Sequence, residues 1–265
     1  MRILLTNDDG VAAPGLALLA EIARALSDEV WIVAPADEQS GAGHSLTLTR
    51  PLRLRKHGER HFAVTGTPTD AVMMALGELM KESKPDLILS GINRGANLAE
   101  DVTYSGTVSA AMEGALAGIP AIALSQTYAR QTYARQAMGG AVPFAAARGW
   151  AARVLEPLIG MKMPPGTLVN VNFPACEAEA VKGIRVCRQG RRDYGRAEVV
   201  KRQDPRGFSY YWLGLGPAQE TPGHDTDLEA IGAGYVSVTP LQLDLTDEGS
   251  IGSLRARFGD QAGVV

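Results

Sequence analysis

Two adjacent acids, Asp8 and Asp9, stand between Asn7 and Gly10 directly behind the apolar run Ile3-Leu4-Leu5. Neighbouring residues on a strand face opposite ways, so both carboxylates can serve one centre only if the backbone turns there. Gly10 permits that turn. Three further segments carry polar groups behind apolar runs. The loop APADEQSGAGHS holds Ser40, Gly41, Gly43, His44 and Ser45, and GINRGAN holds Asn93 and Asn97. YSGTVSAAMEGA places Ser105, Gly106 and Thr107 at the start of a helix, where unsatisfied N–H groups and the macrodipole attract an anion. Carboxylate, hydroxyl and amide oxygens suit a hard divalent cation, Mg²⁺ or Mn²⁺, whereas zinc more often recruits histidine or cysteine. The chemistry these types suggest is cation-assisted handling of a phosphate.

Each element also has a plain structural reading. Asn7 to Gly10 suits a type I turn, with Asn first and Gly last. Ser105 or Thr107 suits an N-cap, and Asn93 and Asn97 suit loop positions of left-handed geometry. Taken singly, these readings win. Turn chemistry alone does not favour oxygen ligands at several strand ends around one helix N-terminus, and that convergence tips the balance toward a site. A phosphatase using an aspartyl nucleophile would want two acids two residues apart, a spacing absent here.

The elements that must position these groups alternate through the first half. A strand over Arg2 to Thr6, a helix over Leu16 to Leu26 and a strand over Val30 to Ala34 make a βαβ unit. Thr69 is expected to cap a helix carrying Val72, Leu76, Leu79 and Met80. Further strands are expected at Leu87 to Leu89, Ala121 to Leu124 and Leu168 to Phe173, with a helix over Val108 to Leu116 closed by Gly118 and Pro120. Short, wholly apolar strands between helices imply an α/β fold: a Rossmann-like, doubly wound, mostly parallel sheet covered on both faces. In such sheets ligands bind at the carboxyl ends of the strands.

The 265 residues carry a formal net charge of −3, which argues against wrapping a nucleic-acid polymer. The two cysteines, Cys176 and Cys187, lack the spacing of a disulfide framework or zinc site. Neither a signal-peptide pattern nor an apolar stretch of roughly 18 residues occurs, so a soluble cytoplasmic protein without membrane attachment is expected. The direct repeat QTYARQTYARQ, Gln126 to Gln136, is too short for a repeat architecture and is assigned no chemistry.

The motifs TNDDG, SGAGHSLT, GTPTD, SGINRGAN and YSGTVSAAMEG, followed by VNVNFP and GYVSVTPL, closely resemble the SurE family of survival-protein nucleotidases. The resemblance implies a metal-dependent phosphomonoesterase acting on nucleoside 5′- and 3′-monophosphates, with some action on short polyphosphate. It implies one divalent ion per subunit, Mg or Mn, with Ca as a non-native occupant. Carried over by position, Asp8, Asp9, Ser40 and Asn93 resemble the metal ligands, with Asp8 and Asp9 catalytic. Asn97, Ser105, Gly106 and Thr107 resemble the phosphate-binding set. His44 is a candidate general acid, with a structural loop histidine as the equal alternative. Asn7 is without a role unless it orients a carboxylate. His224, Asp225 and Asp227 are left outside the catalytic set.

From about Val181 the composition becomes basic, from Arg185 through Arg206, and runs into Tyr210-Tyr211-Trp212. An extended hairpin pairing with another copy is favoured over a ligand-facing flap, because a lone hairpin is marginal. The resemblance adds a C-terminal arm exchanged between subunits of a homodimer, sometimes paired into a tetramer. The expected organisation is a catalytic core over 1–184, an oligomerisation arm over 185–225 and a returning strand and tail over 226–265. The rival class is a receiver-like, Mg-binding signalling module, but FAVTGTPTD has no acid at its strand end to accept a phosphoryl group.

Overall fold

The structure is a computed structural model that describes residues 1–128, 143–193, 197–215, 219–220 and 225–259. Most of the QTYAR repeat, together with Gly223 and His224, lies outside the described residues. Its first half is a run of crossovers: β1 (Arg2–Thr6), α1 (Pro14–Leu26), β2 (Glu29–Pro35), the antiparallel pair β3 (Leu54–Gly58) and β4 (His61–Val64), α2 (Pro68–Met74), β5 (Leu87–Arg94), α3 (Gly106–Leu116) and β6 (Ala121–Gln126). There follow α4 (Ala145–Leu155), β7 (Thr167–Phe173), β8 (Ile184–Val186), β9 (Arg192–Asp193), the hairpin β10 (Ala197–Gln203) and β11 (Ser209–Leu215), β12 (Gln219–Glu220), α5 (Asp227–Gly232), β13 (Val236–Gln242) and α6 (Glu248–Phe258).

Nine strands form one sheet in the order β3-β4-β2-β1-β5-β6-β7-β13-β8. The pairs from β4 to β7 are all parallel, and β13 runs antiparallel to β7. The chain builds outward from β1 toward β4, then returns to the other side of β1 to lay down β5, so the winding reverses between β1 and β5. That reversal opens the crevice where such sheets bind ligands.

The apolar runs of the strands reflect burial on both faces. Leu87 and Leu89 of β5 join Leu5, Leu16 and Leu19 in one core under α1 and α4, while Ile88 joins Leu4, Val72, Val108 and Ala111 in the other under α2 and α3. β7 is an exception to uniform apolarity. Val169 and Val171 face the first core, whereas the fully buried Asn170 and Asn172 line the opposite face. Among the described residues no helix is long and apolar enough to cross a membrane.

The expected N-cap of α2 is displaced by two residues. Thr67, not Thr69, caps the helix: its hydroxyl accepts the Asp70 N–H at 3.1 Å while Asp70 Oδ2 accepts the Thr67 N–H at 2.8 Å. Pro68 explains the shift, since its fixed φ suits the first helical position and its missing N–H would have no partner there. Asp70 also takes the Thr47 N–H at 3.0 Å, and Thr67 Oγ1 donates to the Ser45 carbonyl at 2.7 Å, so the cap pins the loop that leaves β2.

Burial pushes the Asp70 carboxyl upward, but the bonds from Thr47 and Thr67 outweigh it and hold the group below its ordinary value. A carboxyl lowered in the fold adds stability above its unfolded pKa, and that stability is lost as the pH falls through the folded value. Asp70→Ala is therefore expected to cost about 2 kcal/mol at pH 7 and progressively less below about pH 4. Denaturant unfolding at the two pH values checks this; an equal cost at both would refute it.

Candidate active site at the carboxyl ends of β1 and β5

Register brings the two central loops together. Thr6 pairs with Ser90, so the turn after β1 lies beside the bulged end of β5, where the pairing with β6 shifts between Ser90 and Asn93. Asn7 Nδ2 donates to the Gly10 carbonyl at 2.9 Å, with Gly10 at φ +98°. The chain thus bends at Asp8 and Asp9, closed by a side-chain bond rather than a backbone one, and the site reading depends on that bend. Among the described residues Asn7 shows no bond to either carboxylate; its amide N–H serves the Gly10 carbonyl.

Asp8 is 4% exposed. Its Oδ1 accepts the Thr107 hydroxyl proton, and its own carbonyl accepts the Gln39 N–H at 2.8 Å. Burial raises the Asp8 carboxyl to about 6, the Thr107 bond opposes the rise, and the neighbouring Asp9 charge adds to it. Asp9 is also raised, by burial first, against the pull of Arg94. The Arg94 N–H donates to Asp9 Oδ2 at 3.0 Å, and Arg94 Nε lies 3.4 Å from Oδ1.

The N-terminus of α3 closes the site from the other side. Ser105 is its N-cap, with Oγ accepting the Val108 N–H at 3.0 Å. The first-turn N–H groups of Gly106 and Thr107 precede the helix's own hydrogen bonding. A Cβ at Gly106 would sit 2.7 Å from Asp8 Cβ and 3.1 Å from its Oδ2, so only glycine lets the helix end approach this closely. Thr107 differs from a purely anion-facing group, since its hydroxyl holds Asp8.

The remaining candidates are each held by partners of their own. Asn93 Nδ2 donates to the Gly95 carbonyl at 3.0 Å. Asn97 is locked in place: its Nδ2 donates to Ser125 Oγ at 2.8 Å, its N–H to Asn172 Oδ1 at 2.8 Å, and its carbonyl accepts from Asn170 and Asn172 at 2.8 and 3.0 Å. Left-handed backbone in this loop falls on Gly95 and Ala99, not on either asparagine. Ser40 Oγ donates to Glu38 Oε1 at 2.9 Å. His44 Nε2 lies 2.6 Å from Glu113 Oε1, tying its loop to α3.

Two strand ends, a loop and a helix N-terminus thus converge on a pair of carboxylates. A model of "Survival protein SurE" matches residues 3–196. The chain belongs to the SurE family. It is 62% identical over 258 residues to "5′-nucleotidase SurE" of Rhizorhabdus wittichii and 58% identical to its namesake in Erythrobacter litoralis, in each case over 97% of this chain and the whole relative. The crystal structure of the SurE protein from Aquifex aeolicus matches with a TM-score of 0.81 and 41% identity, covering 97% of this chain and all of the other.

This SurE chain also uses residues that its sequence does not single out. Arg94 and Glu38 sit between loops distant in sequence, and their role is visible only from the 2.9 Å contact of Arg94 Nη2 with Glu38 Oε1. Asn170 and Asn172 carried a signal, two amides within an otherwise apolar strand. For Gly106 the sequence pointed to the phosphate-binding set, but its close packing against Asp8 is visible only in the fold. Among the described residues no three His, Cys, Asp or Glu side chains group as a metal cluster.

The raised Asp8 carboxyl has a consequence for the metal-free protein. A group raised in the fold stabilises it below the unfolded pKa, and that contribution is lost as the pH rises through the folded value. In chelator, Asp8→Asn is expected to unfold at a higher temperature than the parent at pH 8, with the gap closing below about pH 4. A parent more stable than the variant at pH 8 would contradict the burial argument.

Proposed function

We propose that this chain is a divalent-metal-dependent nucleotidase that hydrolyses nucleoside 5′- and 3′-monophosphates to nucleoside and phosphate, with some action on short polyphosphate. The relatives' name, 5′-nucleotidase SurE, supports the 5′ activity. The observation that carries the reading is the burial of Asp8 beside Asp9 against the first turn of α3. A buried carboxyl raised to about 6, with only the neutral donors of Thr107 and its own N–H set against the burial, lacks a compensating positive charge.

The donor set fits a hard cation: Asp8 and Asp9 supply carboxylates, Ser40 a hydroxyl and Asn93 an amide oxygen. When bound, Mg²⁺ or Mn²⁺ would polarise a phosphoryl oxygen and acidify a water, with Ca²⁺ able to occupy the site without being its native ion. The chain's own groups do the rest. The N–H groups of Gly106 and Thr107 would hold phosphoryl oxygens at the positive end of α3, with Ser105 and Asn97 completing the phosphate-binding set. Thr107 Oγ1 fixes Asp8 through Oδ1, which leaves Oδ2 to receive a proton from the attacking water. We read His44 as the tether of its loop to Glu113.

We further propose that residues 185–225 form an arm exchanged within a homodimer, with pairing into a tetramer. The β10–β11 hairpin exposes Phe208, Tyr211 and Trp212, the last at 64%, which favours cover by a second copy. Replacing Tyr211 and Trp212 by serine should lower the sedimenting mass; an unchanged mass would remove the arm from the assembly.

The decisive measurement is phosphate release from a panel of nucleotides in chelator, Mg²⁺ and Mn²⁺. Release is expected only with metal, and Asp8→Asn should lower it about 10³-fold or more with the fold intact. Metal-independent release, or near-parental turnover by the folded variant, would sink the reading.

A further inference from the structure

Residues 38–40 each bond toward the site, although only Ser40 is among its proposed ligands. The Gln39 N–H meets the Asp8 carbonyl at 2.8 Å. Ser40 Oγ donates to Glu38 Oε1 at 2.9 Å, and that same oxygen accepts Arg94 Nη2 at 2.9 Å. Arg94 in turn engages Asp9 through its N–H at 3.0 Å and Nε at 3.4 Å. A continuous chain therefore runs from Asp9 through Arg94 and Glu38 to Ser40.

Stability does not account for this chain. The Glu38 side chain is 53% exposed, and an ion pair at such a position contributes only about 0–1 kcal/mol. The geometry makes sense as orientation. A serine hydroxyl has one proton and two lone pairs, and it rotates freely unless the proton is engaged. Only the lone pairs can face a cation. An acceptor that takes the proton fixes the rotor and makes the oxygen a better donor of electron density, as outer partners of metal ligands do.

We infer that Glu38 is a positioning residue for the cation site: it takes the Ser40 proton, reserves the lone pairs of Ser40 Oγ for the cation, and is itself braced by Arg94. This rests on the proposed role of Ser40 as a ligand, and the experiment separates the two. Binding of Mn²⁺ alone to the full chain is measured calorimetrically for the parent, Glu38→Ala, Glu38→Gln, Ser40→Ala and the Glu38→Ala/Ser40→Ala double variant. Glu38→Ala should weaken binding about tenfold or more. Glu38→Gln should keep most of the affinity, because its amide oxygen still accepts the Ser40 proton. In the Ser40→Ala background, Glu38→Ala should add nothing, since both changes remove one interaction.

Equal losses in Glu38→Ala and Glu38→Gln would mean simple attraction by charge and would overturn the inference. So would an undiminished effect of Glu38→Ala in the absence of the Ser40 hydroxyl. A parent that binds no Mn²⁺, or a Ser40→Ala variant that binds as tightly as the parent, strikes the ligand assignment and takes this inference with it. Thermal unfolding in chelator should leave all the variants close to the parent, and Glu38→Gln carries the test if the alanine variant fails to fold.

Discussion

Everything at this site follows from holding the Asp8 carboxylate out of water against a helix end. Taking a charge from water is costly unless partners replace the lost solvation. Here the replacements come from α3, through the Thr107 hydroxyl and the helix dipole, while the Gln39 N–H pins the Asp8 carbonyl. The approach is close enough that position 106 can carry no side chain. Such an arrangement is poor for stability and suited to receiving a cation, which is the trade expected of a functional site.

The sheet supplies the rigidity this demands. Because the winding reverses between β1 and β5, their carboxyl ends lie side by side with no crossover helix between them, and two loops meet there. The polar row on β7 extends the same logic sideways. Asn170 and Asn172 stand where apolar side chains would pack as well, and they spend their amides on the Asn97 loop. Buried hydrogen bonds of this kind fix a loop's path more strictly than apolar packing can.

Much of this was legible in the sequence, for identifiable reasons. Strands covered on both faces are largely apolar, so β1, β2, β5 and β6 declare themselves, and Asn7 with Gly10 declares the bend. The same rules misplaced the cap of α2, because threonine occupies both 67 and 69 and only Pro68 and Asp70 between and beyond them decide which one caps. Arg94 and Glu38 are common surface types on different loops, and nothing local marks them as partners.

By itself, then, the sequence determined the alternation of elements, the bend at Asn7 to Gly10 and the kinds of atom at the strand ends, because these depend on neighbours along the chain. Tertiary structure alone decided that Thr107 serves Asp8, that Asn97 is locked by β6 and β7, that His44 meets Glu113, and that Glu38 joins Ser40 to Arg94. Apart from the short span from Glu38 to Ser40, those pairings join residues far apart in sequence. Their energies depend on distance and burial, which periodicity and spacing do not encode.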